Sequence, residues 1–469
     1  MIFVYLDWNV ISQMKNGMHD DLYNKLMQPE RFILPYSTSH IGDIFSSFSE
    51  DVNQMKNIDS DTEFLSEISR NYCLSNNGKK IDFSFFEPKE LLEQRISEKD
   101  SFKDLNIDKL LGDFEGDEIT GDAFRLLKTL LKNIPLDNEF KKAFENPETS
   151  KQLEMFLPGL KDNPTMEGFF ETFGKLLTNL NEQDGYKDLR KLTQSGLGIN
   201  RDKIFHSDSP YDIINKAYNK LNINLDDFIP EDKTSPEWFS KITNEYIRLD
   251  MHGYQEDKVN IKKGRKETFK NTTEDAFHAA FASTCDYYII NDNKSYKKTQ
   301  QIFESLQLNT LVFKPQEFLD YYKNYIPERT LDYDFQLPIQ YLKSEPYAEK
   351  QVDNGVLRSY YIPSFIFDFF NKMHVLSDTQ GVVKMILLGQ FYPTNKKITY
   401  YFEIENLSKK LYELFGNDID NKGQITKEEL DNEDWAGRKW EFEKINFSFI
   451  RVNGHYQLYY DYLDGQDDK

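Results

Sequence analysis

Hydrophobic and polar positions alternate on two different periods along the chain, and they divide it into zones. At the start, "MIFVYLDWNV" carries an apolar run from Ile2 to Leu6 that ends on an acid, Asp7. Such a short run closed by a polar residue predicts a buried strand. "NVISQMKNG" places Val10, Ile11 and Met14 on one side of a short helix, with Gly17 to stop it. "RFILPY" predicts a second strand, and "STSHIGDIFSSF" a helix capped by Ser37 or Thr38. Residues 51–264 change to the helical period. In "GDAFRLLKTLLKNI", Phe124, Leu127, Leu131 and Ile134 share a face behind Asp122 as a cap, and "QLEMFLPGL" and "ETFGKLLTNL" look similar. No repeat period is evident.

From about residue 265 strands and helices alternate again. "TEDAFHAAFASTC" reads as a helix capped by Thr272 or Thr273, "DYYIIN" as a strand and "SYKKTQQIFESLQ" as a helix. "TLVFK" is a strand, and "PQEFLDYYKNY" is a helix opened by Pro315. Strand–helix alternation implies a parallel sheet. Residues 329–469 read differently: "KITYYFEIEN", "WEFEKINFSFIRVN" and "YQLYYDYLD" alternate as antiparallel strands do, and Asn453-Gly454 signals a hairpin. The expected fold is therefore α/β, a parallel sheet flanked by helices. It is assembled from residues 1–50 and 265–328, with a large helical insertion (51–264) and a β-rich, α+β C-terminal domain (329–469).

Composition narrows the chemistry. The chain has 469 residues, enough for two or three domains, and 39% hydrophobic content sustains real cores. Two cysteines, Cys73 and Cys285, build neither a disulfide framework nor a zinc site, which suits a reducing cytoplasm. No apolar run nears the ~20 residues that cross a bilayer, and no signal peptide is read. The net charge of −21 repels phosphate chains at long range, so a nucleic-acid substrate would need local basic patches or a metal. The run "KKGRKETFK", with Lys263 and Lys266, and "KSYKK", with Lys294, Lys297 and Lys298, are the candidates.

Four acids stand at related places. Asp7 ends the first strand, Asp43 lies on the helix after the second, Asp275 lies in "TEDAFHAAFA", and Asp292 follows "DYYIIN". In an open parallel sheet, ligands gather at the carboxyl ends of the strands. Each acid alone also suits a blander role: Asp7 a turn or helix cap, Asp275 an early-turn acid favoured by the helix dipole. Glu50 and Glu274 are alternative carboxylates for Asp43 and Asp275. His278 on an Ala-rich helix also suits packing.

Taken in order, "YLDWNVIS", "STSHIGDI", "TEDAFHAAFA" and "YYIINDNKSYKK" resemble the motifs of PIN-domain nucleases, over about residues 1–50 and 268–325. Asp43 stands where that family more often has Glu. The resemblance implies a metal-dependent endoribonuclease acting on RNA through Mg²⁺ or Mn²⁺. Asp7, Asp275 and Asp292 would be metal ligands, and Asp43 a further catalytic carboxylate that binds metal or orients water. Asn9, His278, Lys263, Lys266 and Lys294 would contact substrate, with His40 a weaker candidate. The residue types agree, because hard cations take carboxylate oxygens and relieve repulsion among clustered acids. The large accessory regions suggest regulation by a protein inhibitor or partner, as in a toxin or phage-defence effector.

Two other readings compete. A haloacid-dehalogenase-type phosphatase would also end its first strand in an acid, but here its second acid would be Asn9. A catalytically degenerate PIN-like scaffold would only bind. Separately, "DIDNKGQITKEE" resembles an EF-hand loop, with Asp418, Asp420 and Glu429 at the first, third and twelfth places. Lys422 stands at the fifth, where an oxygen ligand is required, so weak calcium binding or none is expected.

Overall fold

The computed structural model describes residues 1–46, 48, 52–97, short stretches between 142 and 172, 185–220, 235–256, 269–353, 355–396, 398–432, 435–442 and 444–463. The helical run "GDAFRLLKTLLKNI", most of "QLEMFLPGL" and "ETFGKLLTNL", and Glu50, Lys263 and Lys266 lie outside the described residues.

The protein is mixed α/β. A four-stranded, all-parallel sheet has the order β2-β1-β6-β7, with β1 (Ile2–Leu6), β2 (Phe32–Ile33), β6 (Tyr287–Ile289) and β7 (Leu311–Phe313). Residues from the two ends of the α/β region thus meet in one sheet: Val4 to Leu6 pair with Tyr287 to Ile289. Both faces are covered, which is why β1 is apolar throughout. Phe3 and Tyr5 face a core with Phe239, Ile242 and Tyr246 of α9 (Glu237–Met251) and Ala276, Ala279 and Ala280 of α10 (Phe269–Ala282). Ile2, Val4 and Leu6 face a second core. It holds Val10 and Ile11 of α1 (Trp8–Lys15), Leu22 of α2 (Asp20–Leu26), Ile41 of α3 (Thr38–Ser46), Leu65 of α4 (Val52–Ser69) and Phe318 of α12 (Pro315–Tyr325).

The helix α10 starts at Phe269, before Thr272 and Thr273, so neither threonine is its cap. Pro35 divides the expected second strand into β2 and β3 (Tyr36–Ser37). The 51–264 segment holds more than helices. After α4 it forms a hairpin of β4 (Tyr72–Asn76) and β5 (Ile81–Phe85), and β3 pairs parallel with β4 in a separate three-stranded sheet. Then come α5 (Pro88–Ser97), α6 (Gly185–Gly196), α7 (Arg201–Phe205), α8 (Pro210–Lys220) and α9. The helix α11 (Asn293–Ser305) links β6 to β7.

The C-terminal region is an antiparallel seven-stranded sheet of order β12-β13-β14-β11-β10-β9-β8. Its strands are β8 (Ala348–Val352), β9 (Gly355–Ile366), β10 (Phe370–Ser377), β11 (Val383–Gly389), β12 (Arg438–Phe442), β13 (Ile445–Val452) and β14 (His455–Tyr462). Asn453 (φ 50°) and Gly454 (φ 80°) make the β13–β14 turn, both left-handed as a two-residue hairpin loop requires. Three helices pack with this sheet: α13 (Leu331–Tyr341), α14 (Tyr401–Phe415) and the short α15 (Lys427–Asp431).

Of the expected strand "KITYYFEIEN", residues 401–406 are instead the start of α14. Glu403 folds back on the Tyr400 backbone N–H (2.9 Å), and Ile404, Leu407 and Leu411 bury one helical stripe. The C-terminal region is tied to the α/β body by a buried charge cluster. Asp368 takes Arg31 (2.9 Å) and Lys410 (2.5 Å). No helix among the described residues is long and apolar enough to cross a membrane.

Candidate functional site

The carboxyl ends of β1 and β6 lie side by side; Asp7 directly follows β1, and Asp292 follows β6 after Ile290 and Asn291. The Asp7 N–H donates to the Ile289 carbonyl (2.9 Å), so Asp7 leaves β1 still attached to the sheet. Its side chain then caps α1, with Oδ2 accepting the Asn9 N–H at 3.2 Å, and Tyr288 offers its hydroxyl to Oδ1 at 3.4 Å. Asp7 is 4% exposed. Burial raises its pKa, and the charges of Asp43 and Asp292 push the same way, while His278 and the Asn9 N–H oppose them. Asn9 itself is exposed beside it.

Asp292 caps α11: Oδ1 accepts the N–H groups of Lys294 (2.9 Å) and Ser295 (2.8 Å). Its Oδ2 makes no hydrogen bond among the described residues and the residue is exposed. Ser295 joins two of the acids, since its hydroxyl lies 3.4 Å from Asp275 Oδ2 while its backbone holds Asp292. Tyr246 in turn donates to Ser295 Oγ (2.9 Å). The α1 and α11 N-termini therefore both open at the carboxyl edge of the sheet, where helix dipoles favour negative groups.

Asp43 belongs to a second constellation. His278, 1% exposed, donates from Nε2 to Asp43 Oδ2 (2.8 Å), and its Nδ1 meets the Tyr5 hydroxyl at 2.7 Å. Tyr5 continues to Ser37 Oγ at 2.6 Å. Burial works against a charged His278 ring. The Asp43 hydrogen bond and charge, with Asp7 and Asp275 behind them, outweigh it and raise the pKa to about 9. The ring is thus an imidazolium at neutral pH, with both nitrogens donating.

His40 stands edge-on at 4.6 Å and is the opposite case. Its Nδ1 accepts the Ser37 N–H (2.9 Å), so Nε2 carries the proton and donates to the Leu6 carbonyl (2.8 Å). Burial and the neighbouring His278 hold its pKa well below the ordinary histidine value. Neither ring faces solvent, so contact with substrate is not a role this arrangement offers His278 or His40.

Glu274 is engaged elsewhere. Its carboxylate pairs with Arg95 at 2.7 Å and passes so close to α3 that a Cβ on Gly42 would overlap Oε1. Lys298, a phosphate candidate by sequence, is turned inward. It is 1% exposed and donates to Asp250 (2.7 Å), which also takes Arg190 at 3.3 Å. Lys294 is half-buried beside Asp292, and Lys297 is exposed.

One charged group went unnoticed in the sequence. Lys314 follows β7 as Asp7 follows β1, and its Nζ donates to the Asn291 carbonyl (2.6 Å). Burial lowers its pKa, while the charges of Asp292, Glu317 and Asp7 resist that shift. Its position as the polar residue closing "TLVF" was the available signal.

Carboxylate oxygens suit a hard divalent cation, and a buried Asp7 raised by two neighbouring acids is the conflict such an ion relieves. Among the described residues, however, no three His, Cys, Asp or Glu side chains are gathered closely enough to hold a metal ion as they stand. Asp43 is taken by His278, and Asp7 and Asp292 by their helix caps.

The EF-hand-like loop has closed on an internal partner. Arg438, 2% exposed, grips Glu429 with two bonds (2.5 and 2.6 Å) and lies 3.4 Å from Asp418. Lys422 pairs with Asp420 (2.6 Å). The acids at both ends of the loop are therefore already neutralised by a fixed guanidinium. No family model, curated protein or solved structure matches this chain.

Proposed function

We propose that this protein is a metal-dependent endoribonuclease of the PIN type, with its site at the carboxyl edge of the parallel sheet. One observation carries the reading: a buried Asp7 at the end of β1 feels the charges of both Asp43 and Asp292, which come from distant parts of the chain. Asp7, Asp275 and Asp292 would hold Mg²⁺ or Mn²⁺, which when bound supplies an acidified water and neutralises phosphoryl charge. The chain's own residues supply the rest. The imidazolium of His278 fixes the orientation of Asp43. Asn9 lies at the rim. Lys294 and Lys314 give a local positive field for the phosphodiester on a protein of net charge −21. Lys263 and Lys266 belong to this reading through the sequence alone.

A second reading, a PIN-like scaffold that binds without cleaving, draws on the helix-capping roles of Asp7 and Asp292 and the pairing of Asp43. Single-turnover cleavage of RNA in Mg²⁺ or Mn²⁺ separates the two. Under the nuclease reading, Asp7→Asn and Asp292→Asn fold normally by circular dichroism and lose cleavage by about two or more orders of magnitude. Undiminished rates in both folded variants, or no metal-dependent cleavage by the wild type, would exclude it.

A further inference from the structure

At the other end of the parallel sheet, where β1 begins, lies a cavity of about 660 Å³ that the proposed site does not use. The size is in the range of small-molecule sites. The β4–β5 hairpin, the start of α9 and the segment leading into α14 build most of it, with Phe3 of β1 and Thr284.

Its walls are of two kinds. Phe83 and Tyr400 lie 4.5 Å apart, centroid to centroid, and half-buried Trp238 stands among the lining residues. Lys79, Lys80 and Lys241 are exposed at the same cavity. Lys80 reaches Asp82 at 2.9 Å, whereas Lys79 and Lys241 make no ion pair among the described residues. Deeper in, the Lys396 ammonium sits 3.7 Å above the Phe3 ring and is held by both Glu403 oxygens (2.8 and 2.9 Å). That inner charge is satisfied, so the floor is neutral and the rim is cationic. Among the described residues, Glu237 is the one acid at the lining.

On a chain of net charge −21, three lysines gathered at one aromatic cavity select an anion locally against the overall field. Aromatic faces add affinity for a planar group, and lysines act as point charges toward phosphate. The geometry points to a binding site for a nucleoside phosphate, with the base against Trp238, Phe83 and Tyr400 and the phosphates at Lys79, Lys80 and Lys241. The inference does not rest on the nuclease reading, because no residue of the carboxyl-edge site contributes.

Isothermal titration calorimetry on the full chain, in EDTA to prevent cleavage, tests it with three probes: ATP, a five-nucleotide single-stranded RNA, and inorganic phosphate. ATP or the RNA should bind, with affinity falling as salt rises. A Lys79→Ala/Lys80→Ala double variant and Lys241→Ala should each weaken it about tenfold or more. Asp7→Asn, whose site takes RNA under the proposed function, should leave ATP binding unchanged. Binding of ATP identifies a free nucleotide as the source, and binding of the RNA alone identifies a strand. These lysines are exposed, so thermal melts of the variants should match wild type. The assignment fails if neither nucleotide probe binds, if the lysine variants bind as wild type does, if Asp7→Asn abolishes ATP binding, or if inorganic phosphate binds as well as ATP.

Discussion

Replacing Asp43 by Asn should make stability depend on pH in a way that reports the buried imidazolium of His278. In the folded protein the His278 pKa is about 9, against an ordinary value of 6.5. A group whose folded pKa is raised contributes stability that is full below pH 6.5 and disappears as pH rises through about 9. The full shift corresponds to roughly 3 kcal/mol at about pH 6, and to a few tenths at about pH 9.5. Asp43 supplies the largest favourable part, through a 2.8 Å hydrogen bond and its charge, against the burial that opposes it.

Asp43→Asn keeps the shape and removes the charge. The ring, 1% exposed, then keeps only weaker support for its charge, from the more distant Asp7, Asp275 and Glu274 among the described residues. The variant should lose about 2–3 kcal/mol near pH 6 and under about 1 kcal/mol near pH 9.5. Asp7 moves in the opposite sense, because Asp43's charge adds to the burial that raises it. Urea unfolding of both proteins at the two pH values measures the difference. A loss of equal size at both would refute the charged His278. Histidine-ring NMR, with His278→Gln as the assignment control, should independently show one ring titrating well above the ordinary value.

Lys298→Met should cost about 2–4 kcal/mol in urea unfolding, because it removes the ammonium 2.7 Å from fully buried Asp250, which Arg190 approaches only to 3.3 Å; a loss below about 1 kcal/mol would contradict the buried cluster. Calorimetry should detect no micromolar Ca²⁺ affinity in the wild type, since Arg438 already grips Glu429 and lies beside Asp418; micromolar binding abolished by Glu429→Gln would overturn that. Gly42→Ala should destabilise by about 1–3 kcal/mol by forcing Glu274 away from its place beside Arg95, and a thermal melt indistinguishable from wild type would show that this close approach can relax freely.

Local sequence was enough to place the acids at strand ends. "IFVYLD" and "YYIIND" are short apolar runs closed by a polar residue, and burial on both sheet faces demands that composition whatever lies between them. The same holds for the α1 stop at Gly17 and the Asn453-Gly454 turn, since both need a left-handed backbone that few residues adopt. What the tertiary structure alone decided is which partner each charged group meets. Asp43 could have faced solvent or a metal, and it meets His278, 235 residues away. Lys298 sits in a run of lysines that looks solvated, yet the helix turns it inward onto Asp250. Asp418 and Glu429 have ligand spacing, and a guanidinium nine residues beyond Glu429 neutralises them. In "KITYYFEIEN" the alternating pattern loses to a helix because a folded-back Glu403 and a buried stripe against the C-terminal sheet stabilise it. Periodicity records how a segment meets a generic apolar surface, whereas ion pairs and hydrogen bonds depend on which distant residue is brought within about 3 Å, and only the packed fold determines that.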